Sequence, residues 1–440
     1  MPRTALALSM VPFALVLWLM PATGDQDAAI HAVYARHPTN PARVLSVWSR
    51  PLFAVPYLLP ARWGYGAMRV TTALVCAAAA WLTYLAARRI GLPRPWLAIP
   101  LTLLQPVLFQ VGTDALTEPV FALTLAGGLY ALACDRVRLG AVVLSFLPLA
   151  RPEGPLVLVV VAALWMRERR WKALPLLGVG TAVWILACLV VTGDPLYLQR
   201  TFPWVMSDPR RGPVWHYVVR WPLIVGIGLL PLWIAGLRSP RPLVRFGVLA
   251  TAFVALVHGL LFATGGFGST GFDRYFATLA PFAALAGVAG AEAIGARLRP
   301  ALLAALLAVQ AAQAWVWVDA PPVNHQPEAT LEAIARAPDR PILFADIFGY
   351  AFLGRDHIDI PIGDREAALA MIRSQPHGTC AVWDNLTGEW WYKLTVDDFV
   401  ENGWTATWER RDMLATPRAP LYAWVKRPER PFRQALLVKR

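Results

Sequence analysis

Long apolar runs, broken by short polar connections, occupy the first 318 residues. Runs of roughly 17–25 residues suit a helix crossing a hydrocarbon core. Lipid offers the backbone no hydrogen-bond partner, so only helices and closed barrels cross it. These runs are too long and too continuous for barrel strands. The pattern predicts eleven helical spans. Seven lie near Thr4–Met20, Met68–Ala87, Pro95–Val111, Pro119–Ala133, Leu139–Leu149, Pro155–Met166 and Ala173–Val191. Four more lie near Pro222–Leu237, Gly247–Thr264, Thr278–Ile294 and Ala301–Val318. The fifth and sixth are short, and read either as tilted partners or as one re-entrant pair; both readings return the chain to the same side. The first span follows Arg3 and precedes "PATG", which also fits a signal peptide with a poor cleavage site.

From Asp319 the apolar segments shorten and charge becomes more frequent. "RPILFAD" and "GTCAVWDN" read as buried strands, "DREAALAMIRS" as an amphipathic helix between them, and "WTATWERR" and "LYAWVKR" as further strands. Two domains are expected: a helical membrane domain over 1–318 and a small α/β domain over 319–440. Trp383, Trp390, Trp391, Trp404, Trp408 and Trp424 lie in the second. Most are assigned to its core because of the area each buries, with stacking against a ligand ring the alternative.

Composition agrees. The chain is 57% hydrophobic and 16% charged, where a soluble domain carries about a quarter charged residues. Such a sequence buries its apolar surface only with lipid as solvent, which excludes a soluble enzyme or binding module. The net charge of +13 collects in short connections, which hold Arg88, Arg89 and Arg94; Arg136 and Arg138; Arg167, Arg169, Arg170 and Lys172; Arg238, Arg241 and Arg245; and Arg297 and Arg299. Lysine and arginine are retained in the cytoplasm. The alternate connections hold Asp25, Asp114, Glu118, Glu153, Asp194 and Asp273, so these and the C-terminal domain are expected outside. Topology accounts for the positive charge, and no nucleic-acid partner is expected. The four cysteines make no disulfide framework, no His/Cys cluster has metal spacing, and neither a metal nor a cofactor is expected.

Carboxylates therefore gather at one mouth of the membrane domain rather than at its midplane, where a coupled transporter would more typically place them. Asp25 and Asp27 follow the first run directly. They either cap a short helix, "AAIHAVYA", whose apolar face of Ile30, Val33 and Tyr34 lies in the interface, or present carboxylates for chemistry. "GTDALTEP" places Asp114 and Glu118 four residues apart, on one face if helical. "LARPEGP" places Arg151 and Glu153 on either side of Pro152. A later outer loop interleaves Arg200, Arg210, Arg211 and Arg220 with aromatics, and "GFDRYFATLAPF" sets Arg274 at the outer end of a span. The guanidinium fork fits phosphate oxygens. Each also has a bland use: a turn, an exposed ion pair, or snorkelling to the headgroups.

In order, "GDQDAAIHAVYARHP", "ALTEPVFALTLAGGLYAL", "LARPEGPLVLVVVAALW" and "DRYFATLAPF" resemble the GT-C superfamily of integral-membrane glycosyltransferases. The likeness is to the bacterial mannosyltransferase and aminoarabinose-transferase groups, and it covers about the first 290 residues. It implies transfer of a sugar from a polyprenyl-phosphate carrier to a glycan, lipid or protein acceptor. Transfer is extracytoplasmic, with inversion, by a multi-pass protein of the plasma (inner) membrane. It implies an acidic base in the first outer loop. The family often has Asp-Glu there, and this chain has Asp25-Gln26 followed by Asp27, so Asp25 is favoured with Asp27 second. Arg274 matches the family's Arg-Tyr pattern and implies contact with the donor phosphate, which Arg200, Arg210 and Arg211 also suit. Asp114, Glu118, Arg151 and Glu153 are the further active-site candidates. The competing classes are a transporter or lipid flippase, and a noncatalytic assembly factor binding partners through its outer domain.

Overall fold

A computed structural model describes the chain except for residues 21–24, 37–43, 202–210, 294–298, 319–324, 338–340, 347, 350–364, 390–391 and 415–429. The "PATG" segment, Arg210, Trp390, Trp391, Trp424 and the expected strand "LYAWVKR" lie outside the described residues. Two compact units form. One comprises Met1–Leu19, His37–Leu59 and Arg69–Val318; the other comprises Met20–Arg36, Pro60–Met68 and Asp319–Arg440.

The first unit is helical. Four helices are long and apolar enough to cross a membrane: Pro2–Leu19, Tyr65–Arg89, Trp171–Thr192 and Pro242–Thr264. Two further pairs pass the same test together but bend sharply, Pro95–Leu103 with Pro106–Gly112 by 64° and His216–Val225 with Leu230–Gly236 by 113°. Shorter apolar helices include Pro51–Ala61, Glu118–Ala133, Val137–Ala150, Gly154–Arg167 and Pro300–Trp315. The chain is thus a multi-pass membrane protein; by length and composition alone four helices among the described residues are candidate spans, or six if each bent pair is one span, and the eleven spans read from the apolar pattern are not confirmed by that test. Local chemistry sets the ends. Gly193 and Gly265 close their helices in the left-handed conformation, at φ of 70° and 73°, where a residue without a Cβ is unstrained.

The second unit holds a four-stranded sheet in the order β1-β2-β4-β3, with β1 at Ile342–Ala345, β2 at Cys380–Asp384, β3 at Trp404–Leu414 and β4 at Arg430–Lys439. β1 and β2 are parallel, starting at Ile342 opposite Cys380, and the other pairs are antiparallel. A parallel pair needs a crossover, and the helix Arg365–Ser374 lies between them in sequence with Ala368, Leu369 and Ile372 buried. β1 and β2 are buried at every position, the signature of strands covered on both faces. Trp383 and Trp404 belong to that core, and Trp408 packs on its edge. The "AAIHAVYA" segment is helical, within Gln26–Arg36. Val33 packs against the sheet's core, so that side chain serves protein packing rather than a lipid interface.

Candidate functional site

Three connections of the membrane unit converge on one buried charge cluster. In "LTEP", Glu118 opens the helix Glu118–Ala133, with Pro119 in the first turn. Proline is preorganised there because the missing N–H has no intrahelical acceptor, and the positive end of the helix dipole favours the Glu118 carboxylate. In "LARPEGP", the helix Leu147–Ala150 ends at Arg151, and Glu153 stands at the residue before the helix Gly154–Arg167 without a side-chain capping bond to it. A Cβ on Gly154 would lie 2.3 Å from the Pro148 nitrogen. Only glycine allows the turn to fold back so closely, and that fold brings Arg151 and Glu153 side by side. In "GFDRYF", the short helix Asp273–Leu279 carries Arg274 and Tyr275.

Arg151 is the hub. Its Nε and Nη2 donate to the two Glu153 carboxylate oxygens at 3.0 and 3.1 Å. Its Nη1 lies 2.9 Å from Glu118 Oε1 and donates to Thr117 Oγ1 at 2.9 Å. Arg274 Nε approaches the same Glu118 oxygen at 3.8 Å. Arg50 lies within electrostatic reach of Arg151 and Glu153. Glu118 and Glu153 side chains are 0% and 1% exposed, and those of Arg151 and Arg274 are 12% and 13%. These charges are therefore nearly desolvated, and each costs several kcal/mol unless compensated.

Aromatic and imidazole groups close the cluster. His258, in the Pro242–Thr264 helix, stacks on the Tyr275 ring at 4.9 Å, with its Nε2 3.6 Å from Glu153 Oε1. Among the described residues neither of its ring nitrogens has a hydrogen-bond partner. The Arg151 guanidinium sits over Tyr275 at 5.7 Å. Beside the cluster, Arg220 forks onto Asp273 with two hydrogen bonds. Asp114 is buried, and its carboxylate accepts the Ala115 N–H at 2.8 Å, shaping the turn before Glu118. Arg69 Nε donates to the Thr113 carbonyl at 2.7 Å and anchors that same turn.

Of the residues singled out in the sequence, Glu118, Arg151, Glu153 and Arg274 are brought together, with Asp114 in the adjoining turn. Arg200, exposed in the short helix Tyr197–Thr201, pairs instead with Asp194 at 3.3 Å. Arg211 is exposed. Asp25 and Asp27 fall in the second unit, where Asp25 Oδ1 accepts the Asp27 N–H at 2.9 Å. That is the geometry of a helix cap. Sequence reasoning passed over His258, because a lone histidine inside an apolar run reads as core. Tyr275 was visible only as half of an Arg-Tyr pair. Among the described residues no group of three His, Cys, Asp or Glu side chains could hold a metal ion.

The arrangement suits a phosphate. Guanidinium forks match its oxygens, and the dry surroundings strengthen their pull. No family model matches the sequence, and no curated protein does. Two solved structures match the fold over nearly the whole chain. ArnT from Cupriavidus metallidurans in the apo state superposes with a TM-score of 0.61 at 13% identity, covering 99% of this chain and 98% of that one. The same protein bound to undecaprenyl phosphate gives 0.57 at 14% identity, covering 99% and 97%. The chain thus shares the overall fold of these structures, mostly helical with a small sheet.

Proposed function

We propose that the protein is a membrane glycosyltransferase. It moves a sugar from a polyprenyl-phosphate donor to an acceptor hydroxyl at the extracytoplasmic face, with inversion at the anomeric carbon. One observation carries this reading: the buried cluster of Glu118, Arg151, Glu153 and Arg274, in a fold shared with a protein crystallised with undecaprenyl phosphate. Nucleotide sugars and ATP are scarce outside a plasma membrane, so an outward-facing transferase needs a donor activated on a lipid.

In this reaction the acceptor oxygen bonds to the anomeric carbon as the bond from that carbon to the phosphate oxygen breaks. The electron pair leaves on the polyprenyl phosphate. Arg274 is assigned to the donor phosphate, with Arg151 beside it and Arg200, Arg210 and Arg211 as further candidates from the outer loop. Guanidiniums there stabilise charge that grows as the bond breaks. The acceptor's proton goes to a carboxylate, Asp25 first and Asp27 second, a contribution typically worth about 10²–10⁴-fold. Detergent-purified protein incubated with a radiolabelled polyprenyl-phosphate sugar should transfer or slowly hydrolyse the label. Ion-dependent movement of lipid across proteoliposomes, with no change in the sugar linkage, would sink the proposal in favour of a transporter or flippase. Inertness in both assays would leave the assembly-factor reading.

A further inference from the structure

Two glutamines of the Arg299–Val318 helix serve the breaks in both bent helix pairs. Gln310 Nε2 donates to the Leu104 carbonyl at 2.9 Å, at the first break, and to the Val225 carbonyl at 2.8 Å, at the second. Its Oε1 accepts the Leu229 N–H at 2.9 Å. Gln313 serves the second break alone, accepting from Ile227 N–H at 2.6 Å and donating to the Pro222 carbonyl at 3.2 Å. A helix break frees backbone groups that lipid cannot satisfy, and Gln310, 0% exposed, supplies partners to both breaks at once. Backbone and side chain are in close contact there. A Cβ on Gly226, which sits at φ 95°, would fall 2.2 Å from Gln310 Nε2.

Each break leads into one side of the charge cluster. The half-helix Pro106–Gly112 runs directly into the turn of Thr113, Asp114 and Glu118. The half-helix His216–Val225 carries Arg220, which holds Asp273 beside Arg274. These two half-helices pack on each other and on the Asp273–Leu279 segment. We propose that Gln310 is a positioning residue: by bonding both breaks, it keeps the Glu118 side and the Arg274 side of the cluster in register. This rests on the reading of the cluster as a donor-phosphate site. A leucine at 310 leaves each half-helix to settle independently. Misplacement of catalytic groups by about 1 Å can cost on the order of a hundredfold.

The test uses the full chain in detergent, with Gln310→Leu, Gln310→Glu and Gln313→Leu. Three readouts are hydrogen exchange at 104–105 and 225–229, binding of undecaprenyl phosphate, and kcat and KM with a polyprenyl-phosphate sugar. Gln310→Leu should speed exchange at both breaks and lower kcat/KM by roughly ten- to a hundredfold. Gln310→Glu keeps the acceptor and, protonated, one donor, so it should recover part of that loss. Gln313→Leu should loosen only the second break and cost less. Unchanged exchange at either break in Gln310→Leu overturns the proposal, and so does faster exchange with binding and turnover within twofold of the parent. Should Gln310→Leu fail to fold, Gln310→Glu must still lose more turnover than Gln313→Leu at matched melting temperature; the reverse order overturns it. A parent protein that neither binds undecaprenyl phosphate nor transfers sugar refutes the donor reading itself, and the exchange measurement still decides whether Gln310 clamps the breaks.

Discussion

Replacing Arg151 by leucine is the most informative single change in the cluster. Its guanidinium reaches Glu118 at 2.9 Å and Glu153 at 3.0 Å, and those carboxylates are 0% and 1% exposed. After Arg151→Leu, Glu118 keeps Arg274 at 3.8 Å. Among the described residues Glu153 keeps only His258 within ion-pair distance, at 3.6 Å. Removing one partner of a buried ion pair costs about 3–5 kcal/mol, because a charge is left dry and unpaired. Two pairs share this cation and do not add independently, so we expect a loss near the top of that range, about 5 kcal/mol. Against a total stability of about 5–15 kcal/mol, that is a large fraction. Combining Arg151→Leu with Glu118→Gln and Glu153→Gln removes the stranded charges as well. Replacement of a whole buried ionic group by neutral residues is often neutral or stabilising, so the triple variant should regain most of the lost stability. Its sugar transfer should stay abolished. Denaturant or thermal unfolding in one detergent, alongside the radiolabel assay, measures both. A single variant as stable as the parent, with a triple variant less stable than either, would refute the account of this cluster as desolvated and mutually compensated.

Asp25→Asn keeps the shape and most of the capping ability but cannot accept a proton, so it should remove most turnover while leaving donor binding intact; full activity there with loss in Asp27→Asn moves the role two residues along, and full activity in both makes the loop structural. Arg274→Ala should weaken undecaprenyl phosphate binding and turnover together, since the phosphate is present in ground and transition states alike; a change in neither removes Arg274 from the donor site. A reporter active only in the periplasm, fused after Arg440, should give signal, and a signal from a reporter active only in the cytoplasm contradicts the outward placement of the C-terminal unit. In that unit, burial first and the neighbouring Asp384 second raise the Asp346 carboxyl well above its usual range. The folded state then holds a proton that the unfolded state releases, so this group's contribution to stability is greatest below the usual aspartate range and declines as pH rises through the raised value. Asp346→Asn should flatten that decline in unfolding curves followed through the β1 and β2 amides of that unit, and a parent protein whose unit stiffens with rising pH contradicts the assignment.

The apolar pattern carried the membrane unit's general layout, because burial in lipid is averaged over many residues and survives local irregularity. It missed the bends for the same reason. Pro95–Val111 read as one span, although Leu104-Gln105-Pro106 breaks it by 64°. Proline after Gln105 and glycines at 226 and 228 were the available signals. The polar partners Gln310 and Gln313, inside another apolar run, were the complementary ones. In the second unit β1, β2 and β3 were legible from short alternating segments. β4 was not, because "RPFRQALLVK" is bounded by arginine and lysine and its apolar stretch is brief. The site was legible residue by residue but not as a constellation. Glu118, Arg151–Glu153 and Arg274 come from three separated connections, and nothing in local spacing says that they meet. His258 was lost to the opposite error, since an isolated polar residue in a hydrophobic helix gives no sign of what faces it.

The charge balance of the cluster gives the donor reading its physical content. Glu118 and Glu153 bring two negative charges, while Arg151, Arg274 and the nearby Arg50 bring three positive ones; around them Asp114 is offset by Arg69 in the adjoining turn and Asp273 by Arg220. A cluster built only to hold the turns together gains nothing from a surplus buried cation, because unpaired charge in a dry site is the costly state. A sugar linked through a phosphodiester to a lipid carries one negative charge, which meets that surplus. In the proposed reaction the departing phosphate gains a second charge as the glycosidic bond breaks, and the same guanidiniums would then bind it more strongly than they bound the donor. Interactions that strengthen in the transition state are the ones that raise kcat. The two glutamates set the limit on that attraction. With both neutral, the site would hold the charged product more tightly and release it more slowly. Their burial beside Arg151 therefore makes sense as a way to keep one cation in excess rather than three.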